Sequence, residues 1–300
     1  MSHTHDHRVT DHGPAFRAGI VLNLGFVVAE LFFGLAAHSL TLVADAGHNA
    51  GDVVGLALAW GAALLATRRP TAQRTYGFGR TSILAALANA VLLLVTVGAI
   101  AVEALQRLAA PSEVQTGTVI LLGAIGILVN GGTAFLFMRG VKADLNIRGA
   151  FQHMAADAAL AVGVVAAGLV MRFAHWWWLD PAVSLGLALV ILASTWGLLC
   201  DALNLALDAV SEGLDVAQIR EYLASRTGVN GVHDLHVWSL STTRTALTAH
   251  LVAPRRTGDD RWLSQIVADL HERFSIEHAT LQVEAGDPGQ PCLLQPETVI

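Results

Sequence analysis

Ala44-Asp45-Ala46-Gly47-His48-Asn49-Ala50-Gly51-Asp52 lies inside an apolar run from about residue 39 to 66, and His153-Met154-Ala155-Ala156-Asp157 lies inside another, from about 142 to 171. Each run exceeds the roughly 20 mostly apolar residues that cross a bilayer as a helix. Each therefore carries a histidine and an aspartate into hydrocarbon, where ionisable groups are costly and are functional candidates by default. The His-x-x-x-Asp spacing places both side chains on one helix face, one turn apart. Asp52 and Asp157 fall near the middle of their runs, so the two motifs share a depth, and the surrounding Ala and Gly residues allow close helix approach. Face to face, they present two imidazoles and two carboxylates, a tetrahedral N₂O₂ set suited to zinc. A single His-x-x-x-Asp could equally be polar glue between helices; two copies at matched depth favour a metal site. Asp45 reads as a group behind the ligands, part of a proton path, or packing glue.

Working outward, four more apolar runs, at about 16–37, 82–107, 116–138 and 178–204, bring the expected spans to six. Composition agrees: 54% of the 300 residues are hydrophobic and 14% charged, against about 25% charged in soluble domains. A net charge of −6 argues against nucleic acid as a partner. Cys200 and Cys292 have no CxxC companion, so neither a disulfide framework nor a thiolate cluster is expected. The polar start, with His3, His5, His7 and His12, has no apolar core of a signal peptide.

Arginines and lysines set the expected orientation. Arg8 and Arg17 precede the first span, Arg68, Arg69, Arg74 and Arg80 lie between the second and third, and Arg139, Lys142 and Arg148 flank the junction of the fourth and fifth. The opposite side holds only Arg107 and Arg172, so both termini are expected in the cytoplasm. Spans one and four each carry an Asn (Asn23, Asn130), and spans two and five each carry His-x-x-x-Asp, an echo of two three-helix halves. Asn23, Glu30, Asn89, Glu103 and Asn130 read as interhelical hydrogen-bond partners.

Beyond about Ala209 the pattern becomes that of a soluble α+β domain in the order helix, strand, strand, helix, strand. The expected organisation is a histidine-containing cytoplasmic tail (1–15), a six-span transmembrane domain (16–208), a small cytoplasmic αββαβ domain (209–287) and a C-terminal tail (288–300). On a strand, His233 and His236 are expected on opposite faces.

These residues resemble the cation diffusion facilitator family nearly end to end. The resemblance is carried by Ser39 through Asp52, by Tyr76-Gly77-Phe78-Gly79-Arg80, by His153 with Asp157, and by Asp180-Pro181. In the tail it is carried by His233-Asp234-Leu235-His236-Val237-Trp238 and His278 through Glu284. It implies a homodimeric six-span transporter in a bilayer, expected to be the cell (inner) membrane, that exchanges cytoplasmic divalent metal for protons. His48, Asp52, His153 and Asp157 would form the membrane site. Zinc would be the chief substrate, with cadmium and cobalt behind it. The resemblance also implies a metallochaperone-like tail that dimerises and binds Zn²⁺ through His233, His250 and Glu284, and a charge pair between Arg80 and Asp208. Ser82 stands where an acid often follows, Gln282 and Gln265 stand where some members have histidine, and the loop at 67–76 has no histidine.

The reading is a secondary transporter and not an enzyme. A membrane-embedded metalloenzyme, or a sensing scaffold whose tail does the work, are the rival classes.

Overall fold

The computed structural model describes residues 13–138, 145–256, 259–287, 289 and 292–294, with the backbone alone for 13–23, 56, 136–137 and 145–150. The N-terminal histidines, Arg139 and Lys142 and the Asn23 side chain lie outside the described residues. Six long helices come first: α1 (Gly13–Ala36), α2 (Leu40–Ala66), α3 (Thr81–Ala109), α4 (Thr116–Phe137), α5 (Leu145–Ala174) and α6 (Leu179–Ala206). They are followed by α7 (Val216–Ala224), β1 (Gly231–Ser239), β2 (Thr245–Val252), α8 (Asp260–Phe274) and β3 (Ile276–Glu284). On their described residues α2 to α6 are each long and apolar enough to cross a membrane, and α1 presents the apolar stretch Leu24–Ala36. The lipid-facing sides show in large exposed apolar residues such as Trp60, Leu128 and Phe173, which a soluble monomer would not leave uncovered on this scale.

The chain divides into two compact units. The first comprises residues 1–54 and 91–196. Its interior has two apolar clusters, one joining α2, α3 and α6 through Leu40, Ala44, Val97, Ile100 and Leu187, the other joining α2, α4 and α5 through Leu42, Val119, Val164 and Met171. Helices α4 and α5 approach closely where side chains vanish: a Cβ on Gly123 would sit 2.8 Å from Val165, and one on Gly168 would sit 2.9 Å from Ile120.

Asp180, fully buried in the first turn of α6, holds the N-terminus of α2. Its carboxylate accepts from Ser39 Oγ (2.6 Å), the Leu40 amide (2.7 Å) and the Thr41 amide (3.3 Å), while Thr41 Oγ1 donates to the Asp180 carbonyl (2.9 Å). A negative charge at a helix N-terminus satisfies orphan amides and opposes the positive end of the helix dipole. This clamp fixes the height of α2, and with it of His48 and Asp52.

The second unit comprises residues 55–90 and 197–300 and contains the tail. Strand order is β1-β2-β3, with β1 and β2 antiparallel and β2 and β3 parallel. One sheet face packs on α7 and α8 around Ile219, Leu223, Leu247, Leu251, Ile266 and Leu270. Asp215 caps α7 by accepting from the Ala217 amide, and Asp259 caps α8 by accepting from the Trp262 amide. The αββαβ expectation therefore holds element by element. The other sheet face carries His233, His250, Gln282 and Glu284.

Asp180→Ala leaves the Ser39 hydroxyl and the Leu40 amide buried without an acceptor, at about 1–3 kcal/mol for each group. The variant should unfold thermally well below wild type in detergent, and an unchanged melting temperature would contradict the clamp.

Candidate functional site

The first unit brings together the two His-x-x-x-Asp motifs. His153 Nε2 lies 3.1 Å from Asp52 Oδ2 and 3.5 Å from Asp157 Oδ2, while His48 Nε2 lies 3.8 Å from Asp157 Oδ1 and 3.9 Å from Asp52 Oδ2. The imidazole rings meet edge to face, with centroids 6.1 Å apart. Asp157 is 5% exposed, and its Oδ2, with Asp52 Oδ2 and His48 Nδ1, is buried without a hydrogen-bond partner among the described residues. Buried polar atoms are rarely left so. Two imidazole nitrogens and two carboxylates are thus brought together, a donor set whose chemistry suits a borderline divalent cation.

Behind His48, Glu30 of α1 is fully buried and accepts from Asn49 Nδ2 at 3.4 Å. Asp45, on α2, interacts with that same Glu30 carboxyl. Glu30 is thus the interhelical partner expected of it. Glu103 is not: it pairs with Arg107, one turn along its own helix, at 2.9 Å.

In the second unit Arg80 and Asp208 form the expected ion pair, with both side chains about half exposed. Such an exposed pair is worth about 0–1 kcal/mol. Ser82, in place of an acid, accepts from the Thr242 amide at 3.1 Å and so still links α3 to the β1–β2 hairpin. His278 packs edge-on against Tyr76, with ring centroids 5.3 Å apart.

The free face of the tail sheet gathers a second cluster. His233, His250 and Glu284 come from β1, β2 and β3, as the sequence led one to expect. His250 Nδ1 lies 2.9 Å from Glu284 Oε1, and His233 Nε2, buried without a hydrogen-bond partner among the described residues, lies 3.5 Å from Glu284 Oε2. Gln282 shares this face and donates to Glu284 at 3.0 Å.

Two participants were not foreseen. Past β3 the chain turns at Gly286, whose φ of 68° is left-handed and where a Cβ would sit 2.7 Å from Val252. Cys292 then lies against the same strands, its Sγ 3.5 Å from His250 Nδ1. One ligand atom from each of His233, His250, Glu284 and Cys292 lies within 4.8 Å of the others. The second is Asp234, whose Oδ2 is 3.4 Å from His250 Nε2.

Asp234 also overturns the expected placement of His236. It has a φ of 48° and sits in a β-bulge, so that His233 pairs with His250 but His236 pairs with Thr248, two residues along β2. The extra residue flips the alternation, and His233 and His236 share a face. His236 nevertheless turns toward Asp234, at 2.9 Å, and stays half exposed.

With the fold and both clusters in view, comparison with known proteins decides the family. Residues 16–205 match the cation efflux transmembrane domain, and residues 212–286 match the cation efflux protein cytoplasmic domain. The chain belongs to the cation efflux family. It is 32% identical over 283 residues to the metal cation efflux system protein CzcD of Cupriavidus metallidurans, covering 94% of this chain and 89% of that one. It is 32% identical over 302 residues to the zinc transporter ZitB of Escherichia coli, covering 97% and 94%. It is 30% identical over 285 residues to a cadmium, cobalt and zinc/H(+)-K(+) antiporter of Bacillus subtilis, covering 93% and 91%. The family's order of helical membrane domain and small α+β domain is the order seen here.

Electrostatics in the tail give a pH signature. Partial burial pushes the Glu284 carboxyl up, but the hydrogen bond from Cys292, the His233 and His250 charges and the Gln282 amide outweigh it and hold it below the usual carboxylate range. A depressed folded value contributes stability above the unfolded value, near 4.3, and loses it as pH falls through the folded value. In chelator-treated protein, tail stability should decline through that acid window, and Glu284→Gln should flatten the decline. An identical acid profile in the variant would contradict it.

Proposed function

We propose that the protein exports divalent transition metal, chiefly Zn²⁺, from the cytoplasm in exchange for protons, by alternating access around His48, Asp52, His153 and Asp157. The observation that carries this reading is the mid-helix meeting of two imidazoles and two carboxylates, with Asp157 almost wholly buried and the other three side chains partly exposed. A tetrahedral zinc site with bonds of about 2.0 Å has ligand–ligand edges of about 3.3 Å, and the four nitrogen–oxygen separations run from 3.1 to 3.9 Å. Little movement would close the ligands on the ion. Two imidazoles favour a borderline metal over Mg²⁺ or Ca²⁺, which take oxygen ligands. The names of the relatives, zinc transporter and a cadmium, cobalt and zinc antiporter with H⁺ and K⁺, support the same cargo and a proton counter-flow.

The residues divide the work. In the inward-facing state the two carboxylates supply the negative charge that draws the cation from water, and the imidazoles select it. On the far side protons compete for the same nitrogens, because a metal ligand must be deprotonated. Expelling a divalent cation against a negative-inside potential costs roughly 4.6 kcal/mol per 100 mV, twice the single-charge figure, so the counter-ion is needed. The carboxyl pair Glu30 and Asp45, one turn from His48, is placed to pass protons to or from the site. The protein acts as a secondary transporter and catalyses no covalent step.

The chain would work as a homodimer in the cell membrane with both termini in the cytoplasm. The basic residues of the 67–80 loop and the match to a cytoplasmic domain after α6 support this placement. In the tail, the chemistry of the donors fits a bound Zn²⁺: two imidazoles, a carboxylate and a thiol converge, and His233 Nε2 is buried without a hydrogen-bond partner among the described residues. His233, His250, Glu284 and Cys292 would hold it and so tie the three strands to the segment around residue 292.

Asp52→Ala or Asp157→Ala should reduce transport to background and weaken zinc binding by more than about a hundredfold, the upper cost of losing merely a partner of a ligand. Flux in proteoliposomes and calorimetric titration read the two effects. Wild-type flux from a folded Asp157→Ala protein would refute the site.

A further inference from the structure

The second unit contains a cavity of about 550 Å³ that neither metal cluster uses. Its α2 wall consists of Gly55, Ala59, Ala63 and Ala66, which recur at helical spacing, and its α3 wall includes Ala85 and Ala86. At the loop end stand Ser82 and the hairpin residues Thr242, Thr243 and Arg244. Small residues alone would mean only helix packing. The arginine changes that reading.

Arg244 is half-buried, its guanidinium lies against Gly79, and no carboxylate pairs with it among the described residues. Its neighbours in the 67–80 loop are otherwise engaged or of the same sign: Arg80 pairs with Asp208, Arg74 lies over the Phe78 ring, and Arg68 and Arg69 add positive charge. A guanidinium among hydroxyls, with no acid of its own, is the usual receptor for a phosphate oxygen. It repels a divalent cation, which speaks against a metal entry. The walls below it belong to membrane-spanning helices and are mostly apolar, with Asn89 of α3 the polar exception. Apolar walls and one cationic end, at the end of a span, specify an amphiphile with an anionic head.

We propose that this cavity binds one anionic phospholipid, its acyl chain along α2 and α3 and its phosphate on the Arg244 guanidinium. The lipid would fill the gap between α2, α3 and the β1–β2 hairpin, and so brace the tail against the membrane. This holds or fails independently of the metal reading.

The test uses full-length protein, delipidated in detergent, and follows thermal stability as phosphatidylglycerol, phosphatidylcholine or inorganic phosphate is added. Wild type should respond to phosphatidylglycerol alone. Arg244→Gln, which removes a charge-assisted bond, and Ala63→Leu, which fills the groove with charge unchanged, should each weaken that response at least about tenfold. A cooperative thermal transition without added lipid, retained in both, shows that the variants are folded. Equal responses to the two lipids, a full response to inorganic phosphate, or wild-type phosphatidylglycerol binding in both variants would overturn the proposal. So would a change of oligomeric state in Ala63→Leu with lipid binding intact, since a helix of a second copy would then be the occupant.

Discussion

A carboxylate in hydrocarbon persists only beside a positive charge or a proton, and Asp157, almost wholly buried within α5, imposes that demand on the first unit. Asp52 doubles it from α2. The two histidines answer in part, at 3.1–3.9 Å, yet oxygens of both aspartates remain without hydrogen bonds among the described residues. The surrounding architecture serves this unmet demand. Glycines let α4 and α5 close together, Asp180 sets the height of α2, and the buried Glu30 holds Asn49 from α1.

The tail gathers a comparable donor set, with a softer thiol added and with less exposure than His153 and Asp52 have. Its core is an ordinary sandwich of helices on one sheet face, which frees the other face for His233, His250 and Glu284. The thiol of Cys292 adds a donor from beyond the last strand. Metal there would cross-link segments distant in sequence, which stabilises a small domain more than any one hydrophobic contact does.

Much of this was legible in the sequence because it rests on periodicity and local spacing. The helices begin and end within a few residues of the apolar runs, and i,i+4 spacing on a helix leaves no freedom about which face His48 and Asp52 share. Arg80 and Asp208 were legible only through family resemblance, since nothing in their local sequence joins positions 128 residues apart. What escaped depends on a backbone irregularity or a return of the chain. The bulge at Asp234 breaks the two-residue alternation and moves His236 to the face of His233; aspartate tolerates the left-handed region, but nothing local in the sequence says that this one adopts it. Cys292 looked idle because its partners are on other strands and its approach depends on the turn at Gly286. Glu103 was misjudged because its arginine is on its own helix rather than across from it.

Coupling is the central claim, and it is tested most directly with purified protein in liposomes carrying a zinc indicator and a pH dye. The account predicts that every zinc movement is accompanied by proton movement in the opposite direction, and that collapsing the pH gradient slows zinc accumulation. Zinc flux with no linked proton flux at any imposed gradient would contradict it.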